Sequence, residues 1–258
     1  MKSIHPTAVV HSGAQVGEGC FVGPYCVLGE NVSLGEHCKL YSHVVIDGHT
    51  TLGARNEIFP FCSFGLKTQD LKWRGGLTRV EIGDDNTFRE HVTINSATVD
   101  GGVTRIGSHN HILAYAHVAH DCTLGNYIVM SNVATLAGHT VVEDYANVGG
   151  LAAVHQFCRI GKMSIIGGCS KVVQDVAPFM LVDGNPAETR TINKIALERN
   201  GVPEETQNAL KQAYKILFRD GLSVSNALAK IEAELSASPE LQHLVVFARS
   251  SERGLCKG

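Results

Sequence analysis

Three side chains able to do acid–base or metal chemistry crowd into "AHVAHDC", residues 116–122: His117, His120 and Asp121. A histidine titrates near neutral pH and can serve as a general base, and an adjacent carboxylate can orient the ring and support its charged form. The same groups could ligate zinc or be unrelated surface residues. His120 alone among the 13 histidines is followed directly by a carboxylate. On a helix His117 and His120 would share a face, whereas on a short strand and turn they flank Val118. The backbone decides which chemistry is available.

That backbone has a period of six. Counting from Ile4, the positions Val10, Val16, Val22, Leu28, Leu34 and so on to Val172 make 29 slots, of which 26 hold an aliphatic residue, Met or Phe; the exceptions are Asp70, Gly76 and Asp100. Six fits neither a helix nor a hairpin, but it suits a short strand plus a turn taken three times per coil. Each step is one side of a triangular prism, with residues 18 apart lying above one another. About nine coils stacked ~4.8 Å apart give a rod on the order of 45 Å long. Glycine often follows the large apolar residue, as at Gly17, Gly23, Gly29, Gly35, Gly53, Gly107, Gly125 and Gly161, where a permissive turn backbone is expected. Cys20, Cys26, Cys38, Cys62, Cys122 and Cys158 fall two residues before it, in a slot shared with Ala, Val and Thr. There they read as small hydrophobes rather than zinc ligands or disulfides.

Composition agrees with a narrow, regular core: 44% apolar, 6% aromatic, 27 glycines. A net charge of −3 argues against whole-surface nucleic-acid binding. "MKSIHPTAVV" lacks an apolar run of signal-peptide length and no stretch reaches transmembrane length, so a cytoplasmic protein without membrane insertion is expected.

Two polar excursions leave the prism in register: residues 66–79, where Asp70, Lys72 and Arg74 could clamp a polar ligand, and residues 97–104. After Val172 a Pro- and Gly-punctuated exit leads to three predicted helices: Pro203 to Gly221, "SNALAKIEAEL", and a third opened by Ser238 as N-cap with Pro239 at N1. The expected architecture is mainly β, a parallel β-helix over 1–190 followed by a C-terminal α-helical domain over 191–258. Adding 18 and 36 to His120 gives Gly138 and Gln156, with His139 and His155 beside them. One edge of the prism therefore carries histidines on three successive coils. Arg159, Lys162, Lys171, Arg190, Lys194 and Arg199 gather basic charge in the late coils and exit, suited to an acidic partner.

The hexapeptide period, "HVAHDC", "ATLAGH", "AVHQFCRIG", "GGCS", "QDLK" and "FARSSERGL" together resemble the UDP-N-acetylglucosamine O-acyltransferases that begin lipid A synthesis, over nearly the whole chain. The resemblance implies a left-handed coil, a homotrimer with sites between subunits, and no cofactor or metal. It implies transfer of a 3-hydroxyacyl group from acyl carrier protein to the 3-hydroxyl of UDP-N-acetylglucosamine. By motif, His120 would be the general base, Asp121 its support and the Gly138 amide the oxyanion donor. Asp70, Lys72, His117, His139, His155, Gln156, Asn193 and Arg199 would contact the nucleotide sugar or acyl arm, and Gly168 would limit acyl length.

Two departures stand out. Asn95-Ser96-Ala97 replaces the family's His/Asn-Arg-Gly, and Ile195 stands where a tail acid is expected. A sugar nucleotide with a 3-amine in place of the 3-hydroxyl is one alternative acceptor. The N-acylating relative with an extra uridine-binding domain fits less well, since the coils begin at Ile4. A hexapeptide-fold zinc hydratase and a non-enzymatic binding rod are the readings from other classes.

Overall fold

A computed structural model describes residues 2–257. Two-residue strands recur every six residues from Ser3–Ile4 to Lys171–Val172, lengthening to three or four only beside the excursions. They stack into three parallel sheets, each a face of the prism. The first begins at Ser3–Ile4, the second at Val9–Val10 and the third at Gln15–Val16. Uninterrupted coils pair at a spacing of 18, as in His117↔Thr135 and Val118↔Leu136. The excursions add whole steps: Val80 pairs with Thr50 below it and with Thr104 above it. The apolar slot residues from Val22 to Val172 are buried, whereas Ile4 is 44% exposed because the first coil has nothing beneath it; the three exceptions, Asp70, Gly76 and Asp100, lie in the excursions and are not buried.

The glycine expectation needs correction. None of the eight glycines that follow the large apolar residue has a left-handed φ. Three residues after the large apolar one, the chain does turn left-handed, and Tyr25, His37, His43, Arg55, Phe61, Tyr115, Asp121 and His139 fill that position with φ near +60°. The glycines are instead demanded by contact: a Cβ at Gly17 or Gly35 would run into the glycine carbonyl one coil on. The slot cysteines are buried free thiols, several donating to a neighbouring coil's carbonyl, as Cys26 Sγ does to Tyr41 O at 2.7 Å. Burial pushes the Cys122 and Cys62 thiols up to about 12, so they are inert at neutral pH.

The exit keeps more strand than its composition suggests. Met180–Asp183 adds a further parallel strand to the first sheet, and Glu188–Ile192 returns antiparallel beside it. A helix not anticipated from sequence, α1 (Lys194–Arg199), follows, and then α2 (Glu204–Phe218), α3 (Val224–Glu234) and α4 (Pro239–Arg249). Ser238 caps α4 by accepting from Leu241 N, with Pro239 at the first position. The helices close a second apolar cluster around Leu210, Leu217, Ile231, Leu244 and Phe247. Beyond α4 the chain returns to the last coil, where Asp175 N donates to Gly254 O and Cys256 N to Asp175 O.

Candidate active site

Both excursions and His120 leave the prism at the same edge, between the second and third sheets. Along it come the first excursion, the second, the turn with His120 and Asp121, the turn with Gly138 and His139, and the turn with His155, Gln156 and Phe157. The 18-residue spacing thus brings together what the sequence placed together.

His120 Nδ1 lies 2.8 Å from Asp121 Oδ2, and both side chains are 12% exposed. The Asp121 carboxylate also accepts from Thr98 N at 3.1 and 3.3 Å, and its own amide donates to Thr104 Oγ1 at 2.8 Å. A carboxylate so held makes Nδ1 the donor nitrogen and leaves Nε2 with the lone pair. His139 Nε2 stands 3.7 Å from the same oxygen. Its ring meets His120 edge-on and stacks on Phe157 at 4.6 Å. His117 accepts or shares a hydrogen with Thr93 Oγ1 at 2.7 Å. Burial, and next the charge of His120, lower its pKa, which keeps it neutral beside the base.

Gly138 packs against the His120 ring: an added Cβ would collide with Cε1 and Nε2. Its N–H makes no hydrogen bond among the described residues. A base nitrogen and an unpaired amide therefore share one small surface, the arrangement that acyl transfer requires for proton removal and for the oxyanion. His155 and Gln156 are exposed on the next coil, with His155 Nδ1 3.1 Å from Gln156 O. His120, Asp121 and His139 are also the one group of the described residues whose donor atoms gather within 4.8 Å as a metal would need.

Asp70 caps its own turn by accepting from Lys72 N at 2.9 Å, and the Lys72 side chain is exposed. Arg74 reaches the carbonyls of Leu71 and Trp73. The two excursions dock on each other through a buried Thr68–Thr98 hydroxyl pair at 2.8 Å and through Leu77 N to Asp100 Oδ1 at 2.7 Å. Asn95, in the departing motif, donates to Lys67 O while its buried Oδ1 has no partner among the described residues.

Asn193 and Arg199 are not brought to this edge. They sit at α1 over the first sheet, the face opposite the His120 edge, lining a hollow of about 350 Å³ with Tyr127, Tyr145 and Ile195. Asn193 caps α1 through Ala196 N and donates to Met163 O at 2.8 Å. Gly168 lies at the edge between the first and second sheets; a Cβ there would meet only Gly150 O, at 3.3 Å, and the left-handed residue of its turn is Cys169. Of the late basic residues, Arg190 is paired with Glu188 at 2.7 Å and Lys194 with Glu198 at 3.3 Å. Arg159 lies over Phe247 and donates to Ser250. Thr98 and Thr104, which fix Asp121, carry no sequence signal, and Phe157 was also missed, although its position 18 residues after His139 is a signal that could have found it.

Comparison with known proteins identifies the family to which the chain is similar. Residues 175–256 match the profile "Udp N-acetylglucosamine O-acyltransferase; Domain 2", and residues 13–48 match "Bacterial transferase hexapeptide (six repeats)". The acyl-(acyl-carrier-protein)-UDP-N-acetylglucosamine O-acyltransferase of Syntrophobacter fumaroxidans is 46% identical over 98% of this chain and 99% of its own. That of Anaeromyxobacter is 48% identical over 99% and 100%. The crystal structure of a UDP-N-acetylglucosamine acyltransferase from Bacteroides fragilis superposes with a TM-score of 0.95 at 37% identity, covering 98% of this chain and 99% of that one.

Proposed function

The chain belongs to the UDP-N-acetylglucosamine O-acyltransferase family, a left-handed parallel β-helix with a C-terminal helical region, and from that membership we propose that it moves a 3-hydroxyacyl group from acyl carrier protein to the 3-position of UDP-N-acetylglucosamine, the opening step of lipid A synthesis. The observation that carries the mechanism is the His120–Asp121 pair beside the unpaired Gly138 amide. His120 Nε2 takes the proton of the sugar 3-hydroxyl as that oxygen attacks the thioester carbonyl. The Gly138 N–H receives the oxyanion. Asp121 stabilises the imidazolium, which then protonates the departing thiolate of the carrier's arm.

The position of Asn193 and Arg199 supports a homotrimer. If they contact the same substrate as His120, they do so from a neighbouring subunit, because within one chain a prism face and its opposite edge cannot meet. With the edge between the first and second sheets turned to a threefold axis, the second sheet of one subunit faces the first sheet of the next. His117 and His120 then look across at α1. The acyl chain would cross the outer face of the second sheet, past the small residues Thr135 and Ala153, toward Gly168, whose open flank leaves room for a long chain. Lys162 and Lys171, whose ammonium groups make no ion pair among the described residues, are the late basic groups left to meet an acidic carrier. Among the described residues no helix is long and apolar enough to cross a membrane; a cytoplasmic site of action is part of the same proposal.

The exposed Ile195 and the Asn95-Ser96-Ala97 segment favour testing a second acceptor. An assay pairing carrier-bound acyl chains of several lengths with UDP-N-acetylglucosamine and its 3-amino analogue decides both specificities. Transfer to the 3-hydroxyl supports the reading, and transfer only to the amine redirects it. Activity retained after zinc removal dismisses the hydratase; no transfer from any carrier leaves the binding rod.

A further inference from the structure

At most uninterrupted turns the left-handed residue donates its amide to a carbonyl of the coil below: His139 N to His120 O at 3.1 Å, Phe157 N to Gly138 O at 3.1 Å, Tyr127 N to Ser108 O at 3.0 Å, Leu151 N to Asn132 O at 3.0 Å; where Tyr25 lies over the first coil, a threonine hydroxyl, Thr7 Oγ1 at 3.1 Å, takes the carbonyl's place. Asp121 is the left-handed residue of the His120 turn, with φ +60°. The coil below it is diverted into the second excursion, so the usual carbonyl is missing. Its amide donates instead to Thr104 Oγ1 at 2.8 Å. Thr104 is fully buried in the small-residue slot, as are Thr50 and Thr140. Those two spend their hydroxyls within their own coil, Thr50 on Asp47 O and Thr140 on Ala137 O. Thr104 alone of the three turns its hydroxyl to the next coil.

We propose that Thr104 is a positioning residue for the base: its hydroxyl replaces the lost coil-to-coil carbonyl and so fixes the backbone of Asp121, and with it the carboxylate that orients His120. The excursion that removes one acceptor supplies another, the Thr104 hydroxyl for the Asp121 amide, and adds a donor, the Thr98 amide for the Asp121 carboxylate. Through the buried Thr68–Thr98 pair, the first excursion braces the same contact. The inference rests on His120 acting as the base.

The test compares Thr104→Val, which keeps shape and loses the acceptor, with Thr104→Ser, which keeps it. Thr104→Cys is a further variant whose weakly accepting thiol suits a slot that cysteines fill on six other turns. Thr50→Val is the control, since its hydroxyl serves only its own coil. The expected result is a kcat lower by roughly tenfold to a hundredfold for Thr104→Val, the scale of a misplaced catalytic group. KM for both substrates should stay within about twofold, Thr104→Ser should restore kcat, Thr104→Cys should fall between, and Thr50→Val should turn over normally. Unchanged kcat in Thr104→Val, equal loss in Thr50→Val, or a Ser variant as slow as Val would overturn it. If Thr104→Val does not fold, a Thr104→Cys kcat equal to wild type overturns it equally well. An active His120→Ala would instead remove the base assignment on which it stands.

Discussion

Two edges of the same prism use side-chain hydrogen bonds between coils to different ends. Between the third and first sheets, Asn56, Asn86 and Asn110 form a buried ladder. Asn86 Nδ2 donates to Asn56 Oδ1 and Gly107 O, Asn86 Oδ1 accepts from Asn110 N, and Asn110 Oδ1 accepts from Ile128 N. Each amide is buried and satisfied. At the His120 edge the coils are displaced by two excursions, Asp121 is held by Thr98 and Thr104, and an imidazole nitrogen and a glycine amide are left open. A closed network rigidifies the coil, and an interrupted one leaves polar groups with capacity for a substrate.

The comparison breaks most sharply if the two edges respond alike to substitution. His120→Ala should lower transfer by ~10²–10⁴ while leaving the thermal transition close to wild type. Retention of more than about a tenth of the rate would refute the base. Asn86→Ala should do the reverse. By stranding the Asn110 amide and Gly107 carbonyl inside the prism it should cost roughly 2–4 kcal/mol of stability, with kcat of the folded protein unchanged. A large kcat loss there would erase the distinction between the edges.

The period of six made the prism, the inward slots and the alignment of His120, Gly138 and Gln156 legible, since all three follow from counting. Sequence could not show that the turn glycines answer to close contact rather than to φ, because both demands select the same residue. Nor could it separate Thr104 from Thr50 and Thr140. Their roles differ only in which coil lies opposite the hydroxyl, and the excursion decides that. The α1 helix is too short for a periodic signal, and its Asn193 cap reads equally well as a loop.

A smaller effect sharpens the electrostatics of the site. Burial lowers the His117 pKa below its ordinary value of about 6.5, so the native state takes up a proton less readily than the unfolded one. Its contribution to stability is therefore complete above about pH 6.5 and is lost as the pH falls through the lower native value. His117→Gln should flatten the pH dependence of the melting temperature between about pH 7.5 and 5. An unaltered slope would mean that the ring is not kept neutral by burial.

If, as proposed, His120 of one subunit works opposite Arg199 of the next, two variants that are each inactive alone should complement each other in mixed oligomers. His120→Ala and Arg199→Ala are purified separately, unfolded together and refolded at equal ratio, and transfer is measured at limiting sugar nucleotide. Random trimers with directional interfaces would leave about a quarter of the sites with both residues intact, so the mixture should regain about a quarter of wild-type activity. A mixture no more active than the mean of its two components would contradict a site shared between subunits.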